Sequence, residues 1–265
     1  MNLQLQGNRA VVTGSTAGIG LATAVALARE GAAVTVNGRT QQRVDQAVAK
    51  VRDAAGGGAD VTGVAADLAT AEGCDKLLRA HGDVDVLVNN MGIFEPKPFE
   101  QITDADWLRF FEANVLSGVR LSRHHLPRML KRNWGRIVFV SSESAVQIPA
   151  EMIHYGMTKT AQVAVARGMA ETTAGTGVTV NSVLPGPTKS EGVATFVNQL
   201  AQQRGVDFEE MEREFFRSAR PSSLLQRFIT PEEVANLIAY VCSPAASATN
   251  GAALRVDGGV VRAAF

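Results

Sequence analysis

Short runs of β-branched residues alternate with longer amphipathic stretches along most of this chain. The first run, over residues 10–13, is followed by a helical pattern over about 19–29 and by a second run over 34–37. Further strands are predicted at 61–65, 84–89, 136–141 and 178–184, and a further helix at about 41–54. Because strands separated by helices pair in parallel through right-handed crossovers, the sequence predicts an α/β fold with a doubly wound parallel sheet.

One segment departs from this alternation. Between Pro187 and Arg227 the polarity is mixed and the pattern is largely helical, with one helix predicted over about 208–219. An excursion that follows the carboxyl end of a strand is well sited to cover a ligand. Since single α/β domains commonly reach this length, we expect one domain over residues 1–265 with a helical lid insertion at about 187–227.

Charge and cysteine content narrow the possible classes of function. Lys plus Arg and Asp plus Glu each number 26, so the formal charge is zero and we expect neither nucleic acid nor a membrane as partner. The first residues lack the basic and apolar regions of a signal peptide. The only cysteines, Cys74 and Cys242, have no metal-ligand spacing and favour a reducing cytoplasm. We therefore expect a cytoplasmic protein with a small-molecule ligand and no metal site.

A glycine-rich turn stands between the first strand and the first helix. Its Gly14, Gly18 and Gly20 let the backbone approach a phosphate, and the free N–H groups of the helix start favour an anion. The turn therefore predicts a dinucleotide site, although such a turn alone also occurs as a plain tight connection. The predicted contacts there are Gly14, Ser15, Thr16, Gly18, Ile19 and Gly20.

Further motifs make the chain resemble the short-chain dehydrogenase/reductase family. The turn matches the family's TGxxxGIG pattern, and residues 89–92 are similar to its NNAG motif, with Met91 in place of the usual alanine. The resemblance runs from about Gly7 to Gly259 and implies a Rossmann-type fold, a nicotinamide cofactor and a homotetramer. It adds to the expected cofactor contacts Asp67, Leu68, Asn90, Gly92, Pro185, Gly186 and Thr188.

The choice between the two nicotinamide cofactors depends on the residues after the second strand. NAD-preferring sites usually place a carboxylate there for the ribose diol, yet Gly38 occupies that position and Arg39 follows it. A guanidinium binds a 2′-phosphate through charge-assisted, bidentate hydrogen bonds, so NADP(H) is favoured. NAD(H) stays open as an alternative, because Ala17 is not the basic residue that some NADP enzymes of the family carry.

Four residues match the family's reacting groups. Tyr155 and Lys159 are four apart in a helix predicted over about 154–172, so both project from one face. The resemblance implies that Tyr155 exchanges a proton with the substrate and that Lys159 holds the nicotinamide ribose. We expect the Lys159 ammonium to lower the pKa of the phenol. The resemblance also implies that Ser142 hydrogen-bonds the substrate oxygen and that Asn114 holds a water in a proton relay.

The substrate is less clearly indicated. The insertion resembles that of the 3-hydroxybutyrate dehydrogenase branch, but Phe94, Ser144 and Met152 stand where that branch recognises a carboxylate with polar side chains. These three are the predicted substrate contacts, and they favour an apolar ketone or alcohol. Two neighbours stay open: Glu143 either lines the mouth of the site or is solvated, and His154 either contacts substrate or has a surface or packing role.

The combined motifs predict an NADP(H)-preferring oxidoreductase that transfers a hydride between nicotinamide and a carbonyl or secondary alcohol. Two alternatives remain. A 3-oxoacyl carrier-protein reductase would carry a basic docking patch, for which the balanced charge gives no special support. A non-catalytic NADP-binding regulator would not need the complete set of reacting residues.

Overall fold

Seven parallel strands form one sheet across residues 2–264, the part of the chain that this computed structural model describes. The strands are β1 (Arg9–Val12), β2 (Ala33–Gly38), β3 (Val61–Ala65), β4 (Val86–Asn89), β5 (Gly135–Val140), β6 (Val178–Pro185) and β7 (Ala253–Val256). Their order is β3-β2-β1-β4-β5-β6-β7. The strand order therefore runs outward from β1 to β3 on one side, and after β3 the chain crosses over to place β4 on the other side of β1. Such a reversal of the strand order opens a crevice at the carboxyl ends of the strands. The predicted doubly wound, Rossmann-like α/β fold in a single domain is confirmed.

Helices connect the strands. They are α1 (Gly18–Arg29), α2 (Gln41–Ala54), α3 (Ala71–Ala80), α4 (Asp104–Phe111), α5 (Ser117–Arg132), α6 (Ile153–Glu171), α7 (Glu191–Arg204), α8 (Phe208–Ser218) and α9 (Pro231–Val241). A π-helical turn, Glu112–Leu116, joins α4 to α5. Within the described residues, no helix has both the length and the apolar character needed to cross a membrane.

The sheet divides the core into two apolar layers. On β4, Val86 and Val88 pack with residues of α1, α2 and α9, whereas Leu87 between them packs with residues of α3, α5 and α6. Successive side chains of a strand point to opposite faces, so a strand that is buried on both faces is apolar throughout. This packing explains why β4 begins with the continuous apolar run Val86-Leu87-Val88.

The segment after β6 forms a small unit with its own apolar cluster. Helices α7 and α8 enclose a cluster formed by Val197, Ala201, Met211, Phe216 and Phe228. The two ends of the segment meet where Thr188 and Ile229 form a parallel bridge. The segment therefore leaves the sheet and returns to it at one place, beside the carboxyl end of β6.

Candidate active site

The glycine turn after β1 has a backbone that only glycine adopts readily. Gly14 and Gly18 have φ values of +58° and +54°, which side chains disfavour. A Cβ at Gly20 would lie 2.5 Å from both Asn90 Nδ2 and the Gly14 carbonyl oxygen. At the start of α1, Ala17 provides no side-chain cap for the first N–H groups. A bare backbone with uncapped N–H groups fits the pyrophosphate of a dinucleotide.

Neighbouring strands hold this turn in place. Asn90 Nδ2 donates to the carbonyl oxygens of Thr13 and Gly14 at 2.9 and 3.1 Å. Ser15 is fully buried, and its hydroxyl donates to the Val12 carbonyl oxygen at 2.6 Å while accepting from Asn37 N at 2.9 Å. The side chain of Ser15 therefore supports the turn from beneath, whereas the sequence interpretation had placed it among the cofactor contacts.

A cavity of about 900 Å³ extends from the turn across the ends of β1, β2 and β4. Of the predicted cofactor contacts, it is lined by Gly14, Thr16, Gly18, Ile19, Gly20, Arg39, Asp67, Leu68, Asn90 and Gly92. Arg43, which the sequence interpretation did not single out, lines it too. Arg43 lies in α2, four residues after Arg39 in the sequence, and it donates to Glu191 of α7 at 2.9 Å. The cavity wall thus offers two guanidinium groups next to Gly38.

Tyr155 and Lys159 lie one turn apart on α6, at the end of β5. Lys159 Nζ is 5.5 Å from the centroid of the Tyr155 ring. The ammonium donates to the Val140 carbonyl oxygen at 3.0 Å and to Gln162 Oε1 at 3.2 Å. Burial lowers the pKa of Lys159 to about 8, against a smaller raising effect of Glu143. A Cβ at Gly92 would lie 3.3 Å from Lys159 Nζ, so the ammonium lies directly behind Gly92, which lines the larger cavity.

Burial raises the pKa of Tyr155, whereas we expected the Lys159 ammonium to lower it. Removal from water raises the pKa of Tyr155, and the nearby Glu143 carboxylate raises it further. The neighbouring Ser142 hydroxyl and the charge of Arg220 lower it by less. Because the loss of hydration outweighs these effects, the phenol keeps its proton at neutral pH in this structure.

Asn114 occupies the π-helical turn and fastens the segment after β4. Its Oδ1 accepts from Ile93 N at 2.7 Å, and its Nδ2 donates to the Ile93 carbonyl oxygen at 3.0 Å and to Thr158 Oγ1 at 2.9 Å. Its own carbonyl oxygen accepts from Gln162 Nε2 at 2.5 Å, and Gln162 in turn binds Lys159. Such π-helical turns are frequent at functional sites. The sequence interpretation missed Gln162, although a position three residues after Lys159 on a helix predicts this contact.

Ser142 is hydrogen-bonded to its neighbour in sequence. Its hydroxyl donates to Glu143 Oε2 at 2.5 Å and accepts from Ser144 N at 3.1 Å. Glu143 is only 4% exposed, so it is not the solvated residue that one interpretation of the sequence expected. Its other oxygen, Oε1, accepts from Arg220 Nε at 3.3 Å, and Arg220 Nη1 also binds Glu151 Oε1 at 3.1 Å. A buried carboxylate therefore stands beside the predicted catalytic serine.

A second cavity, of about 440 Å³, adjoins the first. Ser142 and Tyr155 line it, and so do the predicted substrate contacts Phe94, Ser144 and Met152. Pro185, Gly186 and Thr188, which the sequence interpretation had placed among the cofactor contacts, line this second cavity and not the larger one. The segment after β6 adds Val193, Val197, Met211 and Phe215 to the lining. The cavity is thus mainly apolar, and its polar lining includes Ser142, Glu143 and Tyr155.

His154 does not belong to this cavity. Its side chain is fully buried, with the Phe110 and Trp107 rings at centroid distances of 4.0 and 6.0 Å. Of the two open interpretations, the structure supports packing. Among residues 2–264, no group of three or more His, Cys, Asp or Glu side chains is placed to hold a metal ion.

Comparisons with known proteins agree with this geometry. Residues 8–201 match the family model of the short chain dehydrogenases. The chain is 48% identical over 265 residues to the uncharacterized oxidoreductase YvaG of Bacillus subtilis strain 168, covering 100% of both chains. Its identity to the uncharacterized oxidoreductase YvrD of the same organism is 49% over 265 residues, covering 99% of each. The solved structure of L-sorbose reductase from Gluconobacter frateurii, complexed with NADPH and L-sorbose, matches with a TM-score of 0.93 at 31% identity, covering 99% of this chain and 100% of that one. The chain therefore belongs to the short-chain dehydrogenase family and is an NAD(P)-dependent oxidoreductase.

Proposed function

We propose that this enzyme transfers a hydride between NADP(H) and a carbonyl or secondary alcohol, with NADP(H) preferred over NAD(H). The observation that carries the proposal is the common wall of the two cavities, since Ile19, Phe94 and Ser190 line both. A cofactor at the glycine turn and a substrate beside Tyr155 and Ser142 would meet at that wall. Proximity of this kind is a large part of what an enzyme contributes to such a transfer.

In this proposal each reacting residue has one role. The nicotinamide, when bound, supplies the hydride. For carbonyl reduction, Tyr155 donates its phenolic proton to the substrate oxygen, and Ser142 hydrogen-bonds the same oxygen. Lys159 holds the nicotinamide ribose while Val140 and its other partners keep the ammonium fixed. Asn114 completes a proton relay to solvent and, through its hydrogen bonds to the backbone after β4, keeps that segment against the lysine.

The preference for NADP(H) rests on charge at one end of the larger cavity. Arg39 and Arg43 line this end, whereas the position of the acid typical of NAD-preferring sites is taken by Gly38. Two guanidinium groups favour a 2′-phosphate. Because Gly38 has no carboxylate, the ribose diol of NAD lacks its usual hydrogen-bond acceptor there. The L-sorbose reductase structure, which contains NADPH, is consistent with this preference.

We propose that the insertion over about 187–227 acts as a lid. Its support is that Val193, Met211 and Phe215 from this segment line the same cavity as Ser142 and Tyr155. Arg220, at the end of the segment, binds Glu143 beside the serine. Closure of such a segment would exclude water from the reacting groups.

We also propose that the protein acts in the cytoplasm as a homotetramer. The support for the assembly is the family resemblance, and the support for the compartment is that both cysteines are free and buried thiols. Light scattering on the eluting protein during gel filtration tests the assembly, and a mass of one or two chains would contradict it.

Carbonyl-dependent oxidation of NADPH tests the proposed function. The purified enzyme is assayed with a panel of uncharged ketones, short keto acids and 3-oxoacyl carrier protein, each with NADPH and with NADH. We expect turnover of uncharged ketones, with kcat/KM at least about tenfold higher for NADPH than for NADH. Turnover of the carrier-protein substrate alone would support that reductase instead. Tight NADPH binding without any turnover would support a regulator.

A further inference from the structure

The substrate cavity contains one buried carboxylate that the proposed reaction does not use. Glu143 is 4% exposed and lies in a cavity whose other walls are mainly apolar. A buried carboxylate is stable only when hydrogen bonds or opposite charges satisfy its oxygens. Here Ser142 satisfies Oε2 and Arg220 satisfies Oε1. Arg220 also binds Glu151, so the three side chains carry one positive and two negative formal charges.

The hydrogen bonds of Ser142 change when the serine acts on a substrate. The hydroxyl has a single proton, which it gives to Glu143 in this structure. When Ser142 donates to the substrate oxygen instead, Oε2 of Glu143 loses its donor. Little solvent reaches a side chain so deeply buried, and a buried charged acceptor without a donor is costly. A substrate that brings its own donor removes this cost.

The position of the carboxylate indicates where that donor lies on the substrate. Glu143 Oε2 is one hydrogen-bond length beyond the serine oxygen, at 2.5 Å. Oxygens on adjacent carbon atoms are themselves separated by about the length of an O–H···O hydrogen bond, roughly 2.7–2.8 Å. A hydroxyl on the carbon next to the reacting carbonyl therefore matches the spacing from Ser142 to Glu143.

We propose that Glu143 accepts a hydrogen bond from a substrate hydroxyl on the carbon adjacent to the reacting one, so that the preferred substrates are uncharged α-hydroxy ketones and the corresponding vicinal diols. The rest of the substrate packs against the apolar wall formed by Phe94, Met152 and Phe215. A carboxylate at the same position is repelled by Glu143, because like charges in a buried site oppose each other. This inference rests on the proposed function and names the substrate class of the same site.

Three matched ketones separate the hydrogen bond from intrinsic reactivity. They are 3-hydroxybutan-2-one, its methyl ether 3-methoxybutan-2-one, and butan-2-one. The hydroxyl and methoxy groups activate the carbonyl similarly, but only the hydroxyl donates a hydrogen bond. With NADPH, we expect the wild-type kcat/KM for the hydroxy ketone to exceed that for the methoxy ketone by about 10- to 100-fold.

Variants test whether Glu143 is the acceptor. In Glu143→Gln the charge is lost at nearly constant volume, and we expect the preference for the hydroxy ketone to fall about tenfold or more. Glu100→Gln is the matched control, because Glu100 is exposed and lies outside both cavities. It should keep the wild-type preference. A wild-type ratio near one, or a ratio that Glu143→Gln leaves unchanged, would overturn the inference.

A binding measurement covers the case in which a variant fails to fold. Calorimetry on the wild-type enzyme saturated with NADPH compares butane-2,3-diol with 3-methoxybutan-2-ol, neither of which is turned over in that complex. We expect the diol to bind about tenfold or more tightly, and equal affinities would overturn the inference. Turnover of other ketones without a preference for α-hydroxy ketones would overturn this inference alone. A complete lack of carbonyl turnover would overturn the proposed function. The calorimetric comparison of the diol with its methyl ether would still test whether Glu143 accepts a hydrogen bond from the ligand hydroxyl.

Discussion

Arg220 binds Glu143 across a sequence separation of 77 residues, with Nε donating to Oε1 at 3.3 Å. The contact joins the end of the insertion to the residue that follows Ser142. Both side chains are nearly excluded from solvent, at 10% and 6% exposure. The pair therefore ties the segment that covers the substrate cavity to the reacting groups beneath it.

Removing Arg220 should destabilise the fold, because Glu143 then stays buried without its cation. We expect Arg220→Met to lower the free energy of unfolding by about 3 kcal/mol, the usual size for a broken buried pair. Arg213→Met is the matched control, since Arg213 is exposed and its bond to Glu210 is worth at most about 1 kcal/mol. Urea unfolding at fixed protein concentration measures both, and equal effects would contradict a structural role of the buried pair.

The pH dependence of carbonyl reduction should respond to Glu143. Reduction needs Tyr155 protonated, so its rate falls as the pH rises through the pKa of the phenol. The Glu143 carboxylate raises that pKa, so its loss in Glu143→Gln lowers the pKa and moves the alkaline limb of the kcat/KM profile to lower pH. The rise of alcohol oxidation with pH should begin earlier for the same reason. A limb that stays in place or moves to higher pH would show that the carboxylate does not act on Tyr155.

Cofactor choice should depend on Arg39. We expect Arg39→Met to weaken NADPH binding by about 10- to 100-fold and to leave NADH binding nearly unchanged, because only NADPH carries the 2′-phosphate. Fluorescence titration of the reduced cofactors measures both affinities. Arg79→Met serves as control, since Arg79 is exposed on α3 and lies outside the larger cavity. An equal loss for NADPH and NADH would place Arg39 away from the phosphate.

The glycine turn should tolerate no side chain at Gly20. In Gly20→Ala the new methyl group would meet Asn90 Nδ2 and a backbone oxygen at 2.5 Å, so the turn must shift. We expect a loss of about 1–3 kcal/mol in unfolding free energy, together with weaker binding of both cofactors. Gly168→Ala in α6 is the matched control, because a Cβ there meets nothing within 4 Å. It should be neutral or stabilise by up to about 1 kcal/mol.

The sequence predicted the parts of the fold that depend on local patterns. Helix α2 has the predicted bounds, Gln41–Ala54, because its apolar positions repeat at the helical period. The sequence interpretation did not name α9, although Thr230, Pro231 and Glu233 form a capping box with proline in the first turn. That combination is a recognisable helix start, so the sequence itself contains a local signal for α9.

Other features depend on contacts that no local pattern contains. Glu143 pairs with Arg220, which is 77 residues away along the chain. Because no local pattern contains this contact, the sequence could not exclude that Glu143 is solvated. The pKa of Tyr155 follows from the removal of its phenol from water and from the nearby Glu143 carboxylate, which the YxxxK spacing does not specify. The inward position of Ser15 depends on Asn37 of a neighbouring strand. In each case the sequence identifies the residue, but the contacts of its side chain depend on the tertiary fold.

The proton-donating role of Tyr155 is the centre of this account, and one pair of variants tests it. Tyr155→Phe removes the phenolic oxygen and keeps the ring, while Tyr240→Phe makes the same change at the other tyrosine of the chain, on α9. We predict that Tyr155→Phe lowers kcat for NADPH-dependent ketone reduction by about 10²- to 10⁴-fold with NADPH affinity largely kept, and that Tyr240→Phe stays near wild type. Near-normal turnover of Tyr155→Phe would contradict the account.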